Sequence, residues 1–552
     1  MRDLVVVVLW LLVLVSWGEG KSADVEVRVV GEAAIATTDE HFVCATIDWG
    51  PPEHCDPADT RCLAAHPQTS VLNLDLHNPL LAKVVKAFDR LRIRIGGSLQ
   101  DQVIYDVGEL QSPCLPFKRD KSGLFGYTEG CLRMDRWDEL NKFFNQTRAI
   151  VTFGLNALYG RKKGVNEVWT GDWNPNNSHS FIDYTVKKGF QIDSWEFGNE
   201  LSGKGIGASV PSGQYAKDLI KLRSLINEIY DSNSLHPLLL APGGFYDEHW
   251  FSQLLQDSRP GVFNVLTHHI YNLGAPDDPN LIEKVLDPGY LSHVAGTFRS
   301  LHSIIQKFGP WTTAWVGEAG GVFRGGAPDF SDTYADSFWY LDQLGMSARY
   351  DTKVYCRQKL IGSNYSLLNV ETMVPYPDYY SALLWHQLMG RRVLFTNVTG
   401  SAYLRAYAHC SKDNAGITML LINLSNDTEF RIMLQTDANI TAPPSENIII
   451  KKKGTFMHGL KKVVAWMGKM APNPKVRRRE YHLTPRHGKL RSQSMLLNGE
   501  LLELTLDGDI PSLSPAFVGA NSSISVMPLS IAFVNFPHID ALACSPDKAA
   551  RT

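Results

Sequence analysis

A regular alternation of strand-like and helix-like segments, from about residue 42 to residue 390, constrains the fold more than any other feature of this sequence. Short runs rich in β-branched and aromatic residues predict strands, and a segment with helical spacing follows each of them. The predicted strands are 42–48, 91–96, 149–155, 194–198, 238–242, 265–271, 314–318 and 354–361. The predicted helices are 79–90, 136–144, 180–189, 212–230, 248–256, 290–308, 331–345 and 379–388. Eight such units predict an α/β fold, a (β/α)8 TIM barrel.

An open, doubly wound parallel sheet is the alternative for the same alternation. Such a sheet normally carries a G-x-G-x-x-G phosphate loop. The glycine pairs in IGGS, which begins at Ile95, and in PGGF, which begins at Pro242, lack that spacing. The barrel is therefore the favoured prediction, with extra length after its second strand at residues 100–132.

Beyond residue 393 the pattern changes to strand-like runs separated by Asn, Asp, Gly and Pro turns, without clear helices. This pattern predicts a C-terminal β-sandwich domain. A chain of 552 residues is too long for one ordinary core, which agrees with two domains. The expected organisation is a signal peptide at 1–20, N-terminal strands at 21–41 that join the β domain, a catalytic barrel at 42–392 and the β-sandwich at 393–552.

The first twenty residues have the pattern of a cleaved secretory signal. Arg2 precedes an apolar run at 4–17, and the small residues Gly18 and Gly20 follow it. The run is short for a membrane span, and an uncleaved anchor is the alternative. We therefore expect a secreted protein of the extracellular space or cell wall, with the lysosome or vacuole, including the surface of its membrane, as the alternative.

The cysteines and the glycosylation motifs agree with passage through the secretory pathway. No C-x-x-C pair occurs among the eight cysteines, so disulfides are expected rather than a zinc site. Cys114 and Cys131 form the predicted local pair. Acceptor motifs that predict glycosylation occur at Asn145, Asn176, Asn364, Asn397, Asn423, Asn426, Asn439 and Asn521.

The formal net charge of -3 is close to balance, so no nucleic-acid partner is expected. One basic stretch, at 461–491, departs from this balance. It predicts docking to an acidic polysaccharide or wall polymer, or peripheral association with a membrane, because clustered Lys and Arg attract polyanions. A solvated loop is the alternative.

Two glutamates occupy the ends of predicted strands, where the active site of a TIM barrel lies. Glu200 follows the fourth strand in DSWEFGNELSG, and Glu318 ends the seventh in AWVGEAGG. Two carboxyls about 5 to 5.5 Å apart across a sugar are what a retaining glycosidase requires. Glu200 follows Asn199, an amide suited to holding a sugar hydroxyl, so we assign Glu200 as the acid/base. Glu318 lies between small residues that would let a sugar carbon approach, so we assign it as the nucleophile.

The motifs WEFGNE and WVGEAGG, with LRIRIGGS before them and HHIYNLG between them, resemble those of family 79 glycoside hydrolases. That family contains the heparanase-type endo- and exo-β-glucuronidases. The resemblance covers about residues 25–536, and the two Glu motifs are specific in combination. The short segment after the second strand makes the plant heparanase-like members the nearer match.

The resemblance implies roles for individual residues. Glu200 matches the family's proton donor and Glu318 its nucleophile. Asn199 matches the amide that binds the sugar 2-hydroxyl, and Tyr271 matches the tyrosine that hydrogen-bonds the nucleophile. Two further matches line the sugar site, Asp48 and Ser98. Three more resemble the group that recognises the glucuronate carboxylate, Gln358, Gly362 and Tyr365.

This chain departs from the family's animal members in two loops. It has Phe323-Arg324-Gly325 where they have Tyr-Gly-Gly, and Arg324 offers a charge that could pair with a substrate carboxylate. The loop after the eighth strand is one residue shorter, and a glycan on Asn364 within it could crowd the mouth of the site. Lys204 is a further candidate for a subsite cation.

The expected function is a retaining β-glucuronidase that removes β-linked glucuronic acid from an extracellular glycan such as arabinogalactan or the glycan of a proteoglycan. Neither a metal nor an organic cofactor is expected, because carboxyls perform both the protonation and the covalent capture. Two alternatives remain open at this point. One is a polysaccharide-binding protein that has lost turnover, and the other is a hydrolase of the same clan that acts on a neutral sugar, for example an arabinofuranosidase.

Overall fold

The computed structural model describes residues 21–50, 67–110, 113–231, 236–412, 415–440, 477–520 and 522–545. The predicted signal at 1–20 lies outside these residues. So do Cys55, Cys62 and the part of the basic stretch before residue 477.

Eight parallel strands close into a barrel, and each overlaps one of the eight predicted strands. They are β1 (Val43–Ile47), β2 (Arg92–Ile95), β3 (Ile150–Leu155), β4 (Ser194–Phe197), β5 (Leu238–Phe245), β6 (Val265–Ile270), β7 (Thr313–Ala319) and β8 (Thr352–Arg357). Each strand pairs with the next along the chain, and β8 pairs with β1 to close the ring. The TIM-barrel prediction is confirmed, and the open-sheet alternative is wrong.

Ten helices accompany these strands in the described part of the chain. They are α1 (Pro79–Lys86), α2 (Met134–Thr147), α3 (Asn176–Lys187), α4 (Ser212–Tyr230), α5 (Glu248–Ser258), α6 (Leu281–Leu286), α7 (Pro288–Ser292), α8 (Ala295–Phe308), α9 (Tyr334–Arg349) and α10 (Pro377–Leu388). The helix predicted at 290–308 is two helices, α7 and α8, separated by His293 and Val294. Local interactions define the start of α1. The Asn78 side chain accepts hydrogen bonds from the first turn of this helix, and Pro79 occupies its first position.

The eighth strand is shorter than predicted, and this difference shapes the site. It ends at Arg357, whereas the apolar pattern predicted a strand to residue 361. The next residues are no longer regular strand but still bond to both neighbouring strands, because the Gln358 amide donates to the Ala319 carbonyl of β7 and the Leu360 amide donates to the Thr46 carbonyl of β1. Gln358 and Leu360 are therefore held beside the ends of β7 and β1, at the barrel mouth.

A second domain is built mainly from an eleven-stranded sheet. Its strands are Lys21–Thr37, Met389–Thr399, Leu404–Ser411, Ile417–Asn423, Thr428–Thr436, Arg477–Pro485, Met495–Leu497, Glu500–Leu501, Ala516–Gly519, Ile524–Val526 and Ser530–Phe536. The N-terminal strand lies between Met389–Thr399 and Thr428–Thr436, so the prediction that it joins the β domain is confirmed. The sheet curls until its end strand Ile524–Val526 contacts Ser530–Phe536 and encloses its own apolar core.

The β domain is joined to the barrel through α9. Arg405 donates to both carboxylate oxygens of the fully buried Asp342, at 2.7 and 3.0 Å, and the Tyr407 hydroxyl donates to the same carboxylate at 2.6 Å. A side chain at Gly345 would begin 2.3 Å from the Tyr407 ring, so only glycine permits this close approach. A buried, paired charge and a close aromatic contact together fix the orientation of the two domains.

Three disulfides link described cysteines. Cys44–Cys356 joins β1 to β8 at the closure of the barrel, Cys410–Cys544 lies in the β domain, and Cys114–Cys131 closes the loop after β2. The predicted Cys114–Cys131 pair is confirmed.

Across the ranges that the structure describes, no helix has both the length and the apolar character needed to cross a bilayer.

Candidate active site

Glu200 and Glu318 meet at the C-terminal mouth of the barrel. Glu318 lies in β7, and Glu200 follows β4 by three residues. The two residues are only 8% and 6% exposed. One carboxylate oxygen of each, together with a ring nitrogen of His269, lie within 4.8 Å of one another. The fold therefore brings two carboxyls that are 118 positions apart in sequence into one small space.

Glu318 is surrounded by donors. The Tyr271 hydroxyl donates to Oε1 at 2.6 Å, and the Arg94 guanidinium donates to Oε2 at 2.9 Å. One of these two contacts brings a full positive charge to the Glu318 carboxylate. Burial, and then the Glu318 charge, raise the pKa of Tyr271 well above its ordinary value, so its hydroxyl keeps the proton that it donates. An ionised, oriented carboxylate is the form that a nucleophile needs.

Glu200 has a different set of contacts. Its Oε1 lies 2.9 Å from Nδ1 of the buried His269, and a proton on either atom would satisfy this contact. Its backbone is in the left-handed region, at φ 55°, where its amide donates to the Gly243 carbonyl at 2.6 Å. A side chain on Gly244 would begin 3.3 Å from the Glu200 Cα. The glycine pair in PGGF thus makes room for the turn that presents Glu200, and it does not form a phosphate loop.

Arg94 on β2 links the parts of the site, and sequence reasoning missed it. Its guanidinium donates to Glu196 at 2.5 Å, to Glu318 at 2.9 Å and to the Asn199 side-chain oxygen at 2.9 Å. Burial alone would lower the pKa of Arg94, but the Glu196 and Glu318 carboxylates raise it above its ordinary value. The signal in the sequence was the alternation in the strand RIRI, because a charge inside a parallel barrel must be paired.

Asn199 is held from a second direction by Asp101. The two Asp101 carboxylate oxygens accept from the backbone amides of Ala157 and Asn199, at 2.7 and 2.8 Å. Burial raises the pKa of Asp101 to about 7. His268, which precedes His269 in β6, is also buried. Burial lowers the pKa of His268 to about 3. His268 is therefore a neutral packing residue and not a catalytic base.

Asp48, Gln358 and Tyr365 gather on the opposite side of the mouth, at the ends of β1 and β8. Asp48 Oδ2 accepts from Gln358 Nε2 at 2.8 Å, and Gln358 in turn accepts from the Thr46 hydroxyl. The Tyr365 ring centroid lies 6.3 Å from that of Tyr271, which connects this group to Glu318. Burial, followed by the nearby Asp48 and Glu318 charges, raises the pKa of Tyr365.

Lys359 adds a cation to this group, and sequence reasoning missed it too. It is 6% exposed, and its Nζ lies 3.3 Å from Asp48 Oδ2. Burial and then Glu318 raise the pKa of Asp48, whereas Lys359 acts to lower it. A Cβ on Gly362, which has φ 119°, would lie 3.1 Å from Lys359 Cε. The signal in the sequence was a lysine inside the otherwise uncharged run QKLIG.

Glu200, His269 and Glu318 are close enough together to ligate a metal ion. The chemistry of the donors does not fit that use well, because the Glu318 oxygens already accept from Tyr271 and from the positively charged Arg94. A cation bound there would lie beside the guanidinium and would be repelled by it. The arrangement suits proton transfer and covalent capture better.

Comparison with known proteins identifies the family. The model named "Glycosyl hydrolase family 79, N-terminal domain" matches residues 24–345. The chain belongs to glycosyl hydrolase family 79.

Within family 79 the chain resembles Heparanase-like protein 1 of Arabidopsis thaliana, with 53% identity over 528 residues that cover 96% of this chain and 95% of the relative. It is 38% identical to Baicalin-beta-D-glucuronidase of Scutellaria baicalensis, over 92% of this chain and 91% of that protein. Heparanase of Gallus gallus is 27% identical over 74% of this chain and 71% of its own length. The protein is therefore a heparanase-like glycoside hydrolase.

Two solved structures are similar in fold. The GH51 arabinofuranosidase from Xanthomonas axonopodis pv. citri has a TM-score of 0.62 at 13% identity, with 93% of this chain and 99% of that chain covered. The 4-O-alpha-L-rhamnosyl-beta-D-glucuronidase from Fusarium oxysporum has a TM-score of 0.60 at 14% identity, with 93% of this chain and all of that chain covered. At these identities the likeness concerns the architecture of barrel and β domain.

Three further residues were suggested by the family 79 resemblance or by the chain's departures from it. Ser98, Lys204 and Arg324 are exposed. The Arg324 guanidinium lies 5.6 Å from the centroid of the Phe323 ring, and none of its contacts with described residues reaches Asp48, Glu200 or Glu318. Pairing of Arg324 with a substrate carboxylate remains a prediction, and so do the roles of Ser98 and Lys204.

The glycosylation motifs differ in their accessibility. Asn423 is fully buried and donates to the carbonyls of Thr428, Val526 and Met527, so the expectation of a glycan there is wrong for this fold. Asn364 is half-buried, and its side chain donates to the Gly326 carbonyl at 3.2 Å. The exposed acceptors are Asn145, Asn176, Asn397 and Asn426, whereas the Asn439 side chain and Asn521 lie outside what the structure describes.

The basic stretch is not one uniform surface. Arg478 is 1% exposed and donates to Glu480 and to backbone carbonyls, so its inclusion in a docking patch is wrong. The exposed cations of the stretch within the described residues include Arg477 and those of the turn after Pro485, namely Arg486, Lys489 and Arg491, and His487 in the same turn is also exposed. Arg491 donates to the Asp329 carbonyl at 2.8 Å, which places this turn beside the loop that carries Arg324.

Proposed function

We propose that the protein is a retaining β-glucuronidase that removes β-linked glucuronic acid from extracellular glycans such as arabinogalactan. The observation that carries the proposal is the pair Glu200 and Glu318, whose oxygens lie within 4.8 Å of each other in contrasting surroundings. Retaining enzymes hold their carboxyls about 5 to 5.5 Å apart, and inverting enzymes need about 6.5 to 9.5 Å to admit a water. The short separation supports retention.

The contacts of the two carboxyls suggest a different catalytic role for each. Glu318, ionised beside Arg94 and Tyr271, attacks the anomeric carbon and forms a glycosyl ester. Glu200 gives its proton to the departing oxygen, and then takes a proton from the water that hydrolyses the ester. Esterification removes the charge of Glu318 and weakens both of its hydrogen bonds. Arg94 and Tyr271 therefore favour the free carboxylate, which assists the second step.

The choice of glucuronate is supported by the β1 and β8 side of the mouth. Lys359 has a single contact with a described acceptor, Asp48 at 3.3 Å, although an ammonium carries three N–H donors. Together with Gln358, Gly362 and Tyr365 it forms a polar wall that would satisfy a sugar carboxylate. The 38% identity with Baicalin-beta-D-glucuronidase also supports this choice.

The proposed location is outside the cell, with the vacuole or lysosome as the alternative. The apolar run at 4–17 and the three disulfides support it, because disulfides persist in oxidising compartments. The cations Arg486, Lys489 and Arg491, close to the loop of Arg324, would attract an acidic polysaccharide or an anionic membrane surface.

The test is hydrolysis by the secreted protein of an aryl β-glucuronide and of an aryl arabinofuranoside. We expect turnover of the glucuronide and little of the arabinofuranoside. Proton NMR of the first-formed sugar should show the β-anomer, because two inversions restore the configuration. Hydrolysis of the arabinofuranoside alone would overturn the sugar assignment, and an α-anomer as the first product would overturn the retaining mechanism.

A further inference from the structure

A groove opens beside the two carboxyls, at the ends of β5 and β6. Its volume is about 370 Å³. Its walls are formed by the ends of β5 and β6, the residues that directly follow each of these strands, α7 and the start of α8. The principal side chains are Phe245, Tyr246, His269, Tyr271, Tyr290 and His293.

The groove is continuous with the catalytic carboxyls. His269 contacts Glu200 at 2.9 Å, and Tyr271 contacts Glu318 at 2.6 Å. The Phe245 ring lies 6.3 Å from the His269 ring and 6.1 Å from the Tyr271 ring. The Phe245 side chain is 39% exposed, so part of its ring is accessible to a ligand beside His269 and Tyr271.

The position of the groove separates it from the proposed sugar pocket. Asp48, Lys359 and Gln358 lie at the ends of β1 and β8, whereas the groove lies at the ends of β5 and β6, and β7 with Glu318 stands between β6 and β8. A substrate with its sugar against Asp48 would extend its leaving group past Glu200 toward Phe245. Glu200 is the proposed proton donor to that leaving group, so the groove begins where the departing oxygen would be.

The charges around the groove do not suit an anion. Among its described lining residues none is Lys or Arg. The neighbouring Lys284, 5.3 Å from the centroid of the Tyr290 ring, is already paired with Asp278 at 2.5 Å. Burial and then the carboxylates of Glu248 and Asp247 raise the pKa of Tyr246, so the charges nearest this wall are negative. Rings and hydroxyls without positive charge favour an uncharged occupant.

We propose that this groove binds the leaving group of the substrate, and that the leaving group is uncharged and presents a flat apolar face to Phe245. An aromatic ring and the C–H face of a hexose share this chemistry. The proposal rests on the proposed glycosidase function, but it does not depend on which sugar occupies the Asp48 side.

The kinetic test compares Phe245→Ala with the unaltered protein on three glucuronides. We expect kcat/KM to fall about tenfold on phenyl β-glucuronide, on β-1,6-linked glucuronyl-galactose, or on both, because one aromatic contact is lost. It should change less than twofold on methyl β-glucuronide, whose leaving group does not reach the groove. Phe395→Ala, a change of an equally exposed phenylalanine in the β domain, is the matched control and should leave all three rates unchanged. Equal losses on the phenyl and methyl substrates, or no loss on any, would overturn the proposal.

A binding measurement tests the groove without turnover. Saturation-transfer NMR is performed with the Glu318→Gln protein and either free 4-methylumbelliferone or free β-1,6-galactobiose. We expect transfer to at least one of these, and its loss on adding Phe245→Ala. An aromatic signal alone or a galactose signal alone identifies the occupant and supports the groove; no transfer to either, or transfer that survives Phe245→Ala, overturns it. Failure of the unaltered protein to cleave any glucuronide would instead contradict the proposed sugar and would leave this readout intact.

Discussion

The two sides of the barrel mouth are built from different kinds of side chain. The β1 and β8 side holds Asp48, Lys359 and Gln358 in a network of ion pairs and hydrogen bonds. The β5 and β6 side holds rings, with Phe245 open to solvent beside His269. A fixed polar network can recognise one charged sugar, because its groups are oriented before substrate arrives. An open aromatic surface tolerates many partners, which suits a leaving group that differs between substrates.

The two carboxyls repeat this contrast. Glu318 receives two donors, one of them positively charged, whereas Glu200 shares a single contact with His269. The two carboxyls are therefore held by unequal sets of contacts. Each of the following changes removes one part of this contrast.

The largest effect is expected from Glu318→Gln. The substitution keeps the shape and can still accept hydrogen bonds, but it removes the nucleophile. We expect kcat on an aryl β-glucuronide to fall by at least about 10⁴-fold, with an unchanged circular dichroism spectrum. Substantial residual activity of the variant would mean that Glu318 is not the nucleophile. If the unaltered protein itself shows no turnover, a polysaccharide-binding role would be favoured instead.

Glu200→Ala should divide substrates by their leaving groups. A dinitrophenol departs without protonation, whereas a galactose does not, so we expect a loss of roughly 10² to 10³-fold greater on glucuronyl-galactose than on dinitrophenyl β-glucuronide. Steady-state kcat/KM on the two substrates provides the measurement. Equal losses on both would contradict the assignment of Glu200 as the acid.

Lys359→Met tests the charged side of the mouth. Loss of a charge-assisted contact to the sugar carboxylate should lower kcat/KM on an aryl β-glucuronide about 10 to 100-fold. An aryl β-glucoside lacks that carboxylate, so kcat/KM on this substrate should change little. Lys353→Met, at the other end of β8, is the matched control, because its ammonium contacts Asp351 and the Thr37 carbonyl away from the site. Parallel losses on glucuronide and glucoside would assign Lys359 to structure alone.

The smallest expected effect is on the pH dependence of the free energy of unfolding, and it arises from Asp101. Its folded pKa, about 7, lies above the ordinary aspartate value, so the native state binds a proton more tightly than the unfolded chain. The resulting stability is present below about pH 4 and is lost as pH rises toward 7, with a slope of at most about 1.4 kcal/mol per pH unit. Denaturant unfolding measures the free energy of unfolding at pH 4.5 and at pH 7. The decrease between these two pH values should be smaller for Asp101→Asn than for the unaltered chain. Identical slopes would show that Asp101 is ionised throughout.

The predictable and the unpredictable parts of this site differ in the kind of information that they require. Glu200 and Glu318 could be found from the sequence because each ends a strand, and strand ends converge in a barrel. Arg94 and Lys359 could not be assigned in the same way. Their roles depend on which carboxylates face them across the mouth, and those partners lie in other strands.

The groove is still harder to predict from the sequence than the roles of Arg94 and Lys359. Phe245, Tyr271 and Tyr290 belong to three separate segments, and any one of them alone is an ordinary packing residue. The buried Asn423 is the converse case, because its acceptor motif is intact and only burial excludes a glycan.

The amino-acid sequence by itself determined the eight-fold alternation, the β domain and the two candidate catalytic glutamates of this protein, because these follow from local periodicity and from position within a strand. Tertiary structure alone decided that Arg94 joins Glu196, Asn199 and Glu318, that Lys359 lies beside Asp48, and that rings from three segments leave a groove beside Glu200. The physical reason is that ion pairs, closure of the barrel and open space depend on groups far apart in sequence.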